Sequence, residues 1–153
     1  FRIALSTLDT GRISLAAGAV GLMQRALDLS LAYAGERKQF GKPIAQFQLV
    51  QEHLAAMKLD LEAARLLTYR AAWKKVKGEP YTLEASLAKL FASEAANRVA
   101  YRAIQVHGGY GFFEEYEVAR LYRDARILTL YEGTSEVQKL IIGAHLTGVR
   151  AFA

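Results

Sequence analysis

Apolar side chains recur with a helical period in several stretches of the chain. Between Pro43 and Pro80, the residues Val50, Leu54, Met57, Leu61, Ala64, Thr68 and Ala71 alternate steps of four and three, which lines one face of a helix. Lys58, Asp60, Glu62, Lys74 and Lys75 fall on the other face. The pattern predicts a helix from about Gln46 to Lys77, stopped at Gly78-Glu79-Pro80, where glycine accepts the cap and proline cannot continue the ladder. A second long helix is predicted from Thr82, capped by the threonine hydroxyl and with Glu84 at the positive end of the dipole. Leu83, Leu87, Leu90, Phe91, Ala95, Val99 and Val106 are expected on its apolar face. It ends at His107, because Gly108, Gly109 and Gly111 are costly inside a helix and suit left-handed turns.

The stretch from about Leu8 to Tyr33 is apolar nearly all round, with Gly18, Gly21 and many alanines, and is expected to be buried in close helix contact. Glu117 to Arg126 fits a short helix. The last one runs from Thr134, its cap, to about Leu146, with Glu136 in the first turn. β-Branched alternation is scarce. The fold expected is therefore all-α, an up-down four-helix bundle of three long helices and a shorter C-terminal one, with residues 1–153 forming one helical domain.

Composition narrows the chemistry. Without cysteine, disulfide scaffolds, thiolate metal sites and thiol nucleophiles are excluded. A net charge of +5, with basic and acidic residues interspersed, argues against a nucleic-acid partner. No apolar run is long enough to span a membrane and no signal peptide is expected. Phe1 in first position points to a segment of a longer protein. The location expected is cytoplasmic in a bacterium, or the mitochondrial matrix in a eukaryote.

Familiar catalytic signatures fail. Five residues separate Gly35 from Gly41 where a phosphate loop needs four, and Pro43 stands where that loop carries Ser or Thr. The glycines at 108, 109 and 111 follow a helix instead of a strand, which rules out a dinucleotide-binding turn. His53, His107 and His145 lack metal-ligand spacing, so no metal is expected.

What remains is a set of polar and glycine-rich segments at expected helix ends: Asp9-Thr10-Gly11-Arg12, Arg37 to Pro43, Gln105-Val106-His107-Gly108-Gly109-Tyr110-Gly111, and Tyr131 to Gln138. Each alone has an ordinary explanation. Glu132 can be an acidic residue ahead of a helix, Asp9 and Arg12 a cap and a first-turn cation, and Arg37 a surface ion-pair residue.

In this order, and over nearly the whole chain, the four segments resemble the C-terminal domain of the flavin-dependent acyl-CoA dehydrogenases of short- and medium-chain type. The resemblance implies that Glu132, in Tyr131-Glu132-Gly133-Thr134, is the base that takes the α-proton of an acyl-CoA thioester. Some relatives, among them the isovaleryl- and long-chain-specific enzymes, carry the base on the first helix of this domain. The matching position here is Gly11, which leaves Glu132 as the candidate. Asp9, Arg12, Tyr131 and Gly133 match substrate-contacting positions. Arg37, Phe40, Gln48, Gln105, Val106, His107, Gly108 and Gly109 match positions that touch FAD, generally from across a subunit interface. Thr134 and Glu136 match contacts to its adenosine side, where some relatives carry Gln in place of Glu136.

The reaction implied is α,β-dehydrogenation to a trans-2-enoyl-CoA, with FAD as hydride acceptor and an electron-transfer flavoprotein as electron acceptor. The expected setting is a homo-oligomer, a dimer of dimers, whose own N-terminal and β domains complete the site. The segment alone is expected to be inactive. Two alternatives stand beside this reading: a flavin oxidase on the same scaffold, such as an acyl-CoA oxidase, and a non-catalytic helical oligomerisation module.

Overall fold

The computed structural model describes residues 2–151. The chain forms α1 (Arg2–Glu36), a hairpin of β1 (Lys38–Gln39) and β2 (Lys42–Pro43), a 3-10 turn at Ile44–Gln46, and α2 (Gln48–Val76). There follow α3 (Thr82–His107), a 3-10 turn at Gly108–Phe112, α4 (Glu117–Ile127) and α5 (Ser135–Thr147). No described helix is long and apolar enough to cross a membrane.

The all-α bundle is as expected, with one change in its make-up. Side-chain contacts fix the directions: Thr82 meets Asp9 and His107 stacks on Tyr33, so α1 and α3 run parallel. Lys74 reaches Glu84 and Arg98 reaches Asp60, so α2 runs against α3. The Asn97 amide donates to the Ala125 carbonyl while Arg25 pairs with Glu117, which lays α4 antiparallel in the groove of α1 and α3. The short helix α4 thus takes the fourth position in the bundle, and the C-terminal helix α5 packs on α3.

Helix α3 lies at the centre, in contact with each of the other helices. Its fully enclosed face is made of Ala88, Ala92, Ala95, Ala96, Val99, Ala100 and Ala103, while Leu83, Leu87, Leu90 and Phe91 are only half-buried. Of the stripe expected from the sequence, Ala95, Val99 and Val106 are buried, whereas the leucines and Phe91 flank the enclosed face. A helix wrapped on several sides buries its small residues where neighbours approach closest, and its long side chains splay into the gaps between them. The glycines of α1 behave in the opposite way from expectation. Gly18 and Gly21 face open space on an exposed side, whereas Ala16, Ala19 and Ala26 make the close contacts.

Some helix ends follow the sequence, as at Gly78 and Thr134, and others depart from it. Gly78, at φ +71°, ends α2 by donating to the Lys75 carbonyl, and Gly148, at φ +73°, ends α5. Thr134 Oγ1 accepts the Val137 N–H and caps α5. Thr82 does not cap α3: it is the first helical residue, and its hydroxyl donates to Asp9 Oδ2 at 2.6 Å instead. Asp9 and Arg12 likewise lie inside α1, not at its start.

The hairpin was not legible as strand, since two residues per strand carry no alternation. Its turn needs left-handed backbone at both central positions, φ +53° at Phe40 and φ +79° at Gly41.

His107 closes the far end of α3. It is 5% exposed, stacked on Tyr33 at 4.3 Å between ring centres, with Tyr116 edge-on at 6.1 Å. Nδ1 lies 2.8 Å from the Ala103 carbonyl oxygen, which can only accept, so this nitrogen carries the proton. Burial pushes the imidazole below its ordinary pKa, against the opposing pull of that hydrogen bond. The folded chain therefore holds His107 neutral, while the unfolded chain protonates it below its ordinary value of 6.5. Stability is accordingly complete above that value and falls as pH drops below it. Melting measured from about pH 7.5 down to about pH 5 should show this loss, and His107→Gln should flatten it.

Candidate active site

Residues Tyr131–Thr134 link α4 to α5 and turn sharply over α1. Glu132 has φ +59° and Gly133 φ +89°, so two consecutive residues are left-handed. For glutamate this conformation costs roughly 1–2 kcal/mol, and the surrounding structure must hold it. Gly133 has no alternative, because a Cβ there would lie 2.6 Å from Gln138 Nε2.

The turn directs two carbonyl oxygens inward, and side chains of three helices meet them. Gln138 Nε2 donates to the Glu132 oxygen at 3.0 Å and to the Gly133 oxygen at 3.1 Å. Lys89 Nζ donates to the Gly133 oxygen at 2.7 Å, and Arg12 Nε to the Glu132 oxygen at 3.4 Å. Arg12 is itself held by Asp9, Nη1 to Oδ1 at 2.8 Å, and Asp9 by Thr82. Arg12 is 6% and Asp9 8% exposed. A buried pair of this kind keeps a guanidinium in one place because each charge satisfies the other.

The side chain of Glu132 returns toward α1 and lies directly against Gly11. A Cβ on Gly11 would be 2.5 Å from Oε2 and 2.8 Å from Cδ of that carboxylate. Gly11 and Glu132, the two positions at which the resemblance allows a base, therefore meet in space. Oε2 is buried and has no hydrogen-bond partner in the chain. A buried carboxylate oxygen without a donor has a free acceptor position for a bound molecule.

Tyr131 flanks Glu132 and is nearly half exposed. Thr134 and Glu136 sit at the start of α5, beside a cleft of about 310 Å³ that Glu94, Arg126 and Glu136 help to line. Hydrogen bonds from its own backbone N–H and from the Thr134 side chain hold the Glu136 carboxyl below its usual range.

The other candidates gather elsewhere. Arg37 lies over the Tyr110 ring at 5.4 Å, which joins the hairpin to the glycine turn. Phe40 is 91% exposed at the hairpin tip although its φ is positive, and its ring meets only the edge of Phe47. Gln48, Gln105, Gly108 and Gly109 are exposed in the same region, whereas Val106 and the His107 ring are buried. The 24 steps of helix from Arg12 to Glu36 separate the two clusters by about 36 Å at 1.5 Å per residue.

Sequence reasoning missed Lys89, Gln138 and Thr82. A signal for Lys89 existed: it stands among Ala85, Ala88 and Ala92 on the enclosed face of α3, where an unpaired lysine has no place.

The family described as acyl-CoA dehydrogenase, C-terminal domain, matches residues 1–147. The chain belongs to this family. It is 54% identical to the probable acyl-CoA dehydrogenase YngJ of Bacillus subtilis over 95% of its own length and 38% of that protein. It is 49% identical to the caffeyl-CoA reductase-Etf complex subunit CarC of Acetobacterium woodii, again over 95% of the chain and 38% of the relative. The solved butyryl-CoA dehydrogenase of Megasphaera elsdenii superposes with a TM-score of 0.94 at 51% identity, covering 95% of this chain and 38% of that one. The chain thus spans less than two fifths of the acyl-CoA dehydrogenases it matches.

Gly11→Ala probes how closely the Glu132 carboxylate packs on α1. Alanine favours the helix by up to about 1 kcal/mol, and the clash falls on the movable end of Glu132. Melting of the variant should be unchanged or slightly raised relative to the parent, which thermal unfolding of the two checks.

Proposed function

We propose that this chain is the C-terminal domain of a three-domain flavoenzyme that converts an acyl-CoA thioester to its trans-2-enoyl-CoA, with Glu132 as catalytic base. The observation that carries this reading is the Glu132 carboxylate, held by a left-handed turn against Gly11 with a buried, unengaged oxygen.

In this reading Oε2 of Glu132 takes the α-proton. The thioester is placed against the Tyr131–Gly133 turn, with its α-carbon beside the Glu132 carboxylate. Arg12, fixed by Asp9, presents a cation to the polar part of the substrate and excludes water from the base. A main-chain N–H at Glu132 suits the thioester oxygen, whose growing negative charge acidifies the α-carbon. When enoyl-CoA is reduced, the same carboxyl returns the proton. The caffeyl-CoA reductase relative is consistent with use of this site in that direction.

The exposed residues also fit FAD. Phe40 offers a bare ring, Arg37 a guanidinium suited to pyrophosphate, and Gly108 and Gly109 have open space at their Cα atoms. Bound FAD would supply the acceptor for the β-hydrogen. Thr134 and Glu136 are close to Glu132 in sequence, whereas the Phe40 cluster is about 36 Å away along α1. One chain then serves two cofactors, one beside its own base and one beside that of a neighbour, in a homo-oligomer. The exposed stripe of Leu59, Leu66, Tyr69, Trp73 and Val76 on α2 suits such a contact. The electron acceptor is an electron-transfer flavoprotein, in keeping with the Etf complex to which one relative belongs.

Glu132→Gln in the complete enzyme should abolish dehydrogenation, a loss of about 10³-fold or more, with flavin content and acyl-CoA binding retained. Turnover near the parent rate would refute the assignment. Oxygen consumption at the rate of substrate loss would identify an oxidase instead.

A further inference from the structure

Lys89 is the largest side chain in the described core with no measurable exposure, and the proton abstraction proposed above does not use it. It leaves α3 among alanines and crosses the interior to one acceptor, the Gly133 carbonyl oxygen, at 2.7 Å. That oxygen and the neighbouring Glu132 oxygen are each met by two donors: Lys89 and Gln138 on the first, Gln138 and Arg12 on the second. The assignment of Gln138 is forced, since a flipped amide would turn its oxygen toward two carbonyls. Gln138 spends both hydrogens on this turn and its Oε1 is left without a partner.

We propose that Lys89 is a positioning residue for the dehydrogenation: its Nζ, bonded to the Gly133 oxygen from within the core, fixes the left-handed Glu132–Gly133 peptide and so holds the Glu132 carboxylate over Gly11. The inference rests on the reading of Glu132 as the base.

Three features single out Lys89 within the network. Arg12 is the longest of the contacts and acts on the residue before the glycine. Gln138 stands on α5, five residues beyond Gly133, and moves with the turn it holds. Lys89 alone ties the Gly133 carbonyl to the central helix, so it references the turn to the rigid part of the bundle. Burial, and after it the Arg12 guanidinium, push the ammonium below its ordinary pKa, and the Glu94, Glu132 and Glu136 carboxylates oppose that shift. A group placed at such disadvantage without reaching solvent or substrate is explained by the carbonyl it holds.

The test uses the complete, flavin-loaded enzyme and compares Lys89→Met and Lys89→Arg with the parent. The readouts are kcat, KM, flavin content, melting, and the rate at which the α-hydrogen of bound acyl-CoA exchanges with D2O. Lys89→Met should lower kcat and α-hydrogen exchange together by about 10²-fold, the effect of a misplaced reacting group, with KM and flavin content near the parent values. Lys89→Arg, which keeps a charged donor, should regain part of both. Parent-level exchange in a folded Lys89→Met enzyme overturns the proposal, as does lost turnover with exchange intact. Should the methionine variant fail to fold or to hold flavin, Lys89→Gln keeps a polar side chain too short for the carbonyl, and the same two outcomes decide. Glu132→Gln run in parallel separates the two readings: full turnover there removes the base itself, whereas an inactive Glu132→Gln beside a fully active Lys89→Met removes only the positioning role.

Discussion

Two carbonyl oxygens directed into the protein, those of Glu132 and Gly133, constrain much of what surrounds them. Buried carbonyls need donors, and no regular element can supply them here because the turn belongs to neither helix nor sheet. Arg12 comes from α1, Lys89 from α3 and Gln138 from α5, so the turn is also where three helices are joined. Asp9 balances Arg12 and Thr82 completes Asp9, which extends the network to the first residue of α3. Each oxygen keeps a second donor when one is removed, whereas loss of Arg12 also leaves the buried Asp9 without its counter-charge, a larger penalty than the bond itself is worth.

This arrangement depends on the small residues of α3. Alanines on its enclosed face let the other helices approach closely enough that a lysine from α3 reaches across to a loop beyond α4. Buried hydroxyls in the same core satisfy themselves locally, Ser30 on the Ala26 carbonyl and Thr68 on the Ala64 carbonyl, both at 2.8 Å. They ask nothing of neighbouring helices.

The elements were legible wherever a local rule decides them. The period and glycine stop of α2, the span of α4 and the Thr134 cap of α5 depend on residues within a few positions of one another. The enclosed face of α3 was not legible, because which side of a helix is most buried depends on how many neighbours it has. Thr82 illustrates the same limit: its sequence position suits a cap, but a buried carboxylate from α1 claims its hydroxyl. Glu132, Gly11, Arg12 and Asp9 could be singled out by their resemblance to known segments. Lys89 and Gln138 could not, since their partners are main-chain oxygens that any residue type provides.

The described residues contain two non-glycine side chains with left-handed backbone, Phe40 and Glu132, one in each candidate cluster. Neither conformation helps the bundle to fold, and each costs on the order of 1–3 kcal/mol. The two are held by different means. Glu132 is fixed from inside by charged and amide donors, as a group whose position matters to within a fraction of an ångström must be. Phe40 is fixed only by a two-residue hairpin and the edge of Phe47, with its ring left in solvent. An apolar ring needs no such accuracy, because a flat aromatic contact tolerates small displacements that a proton transfer does not. The bundle thus holds Glu132 by buried donors from three helices and leaves Phe40 to be covered by something outside the described chain.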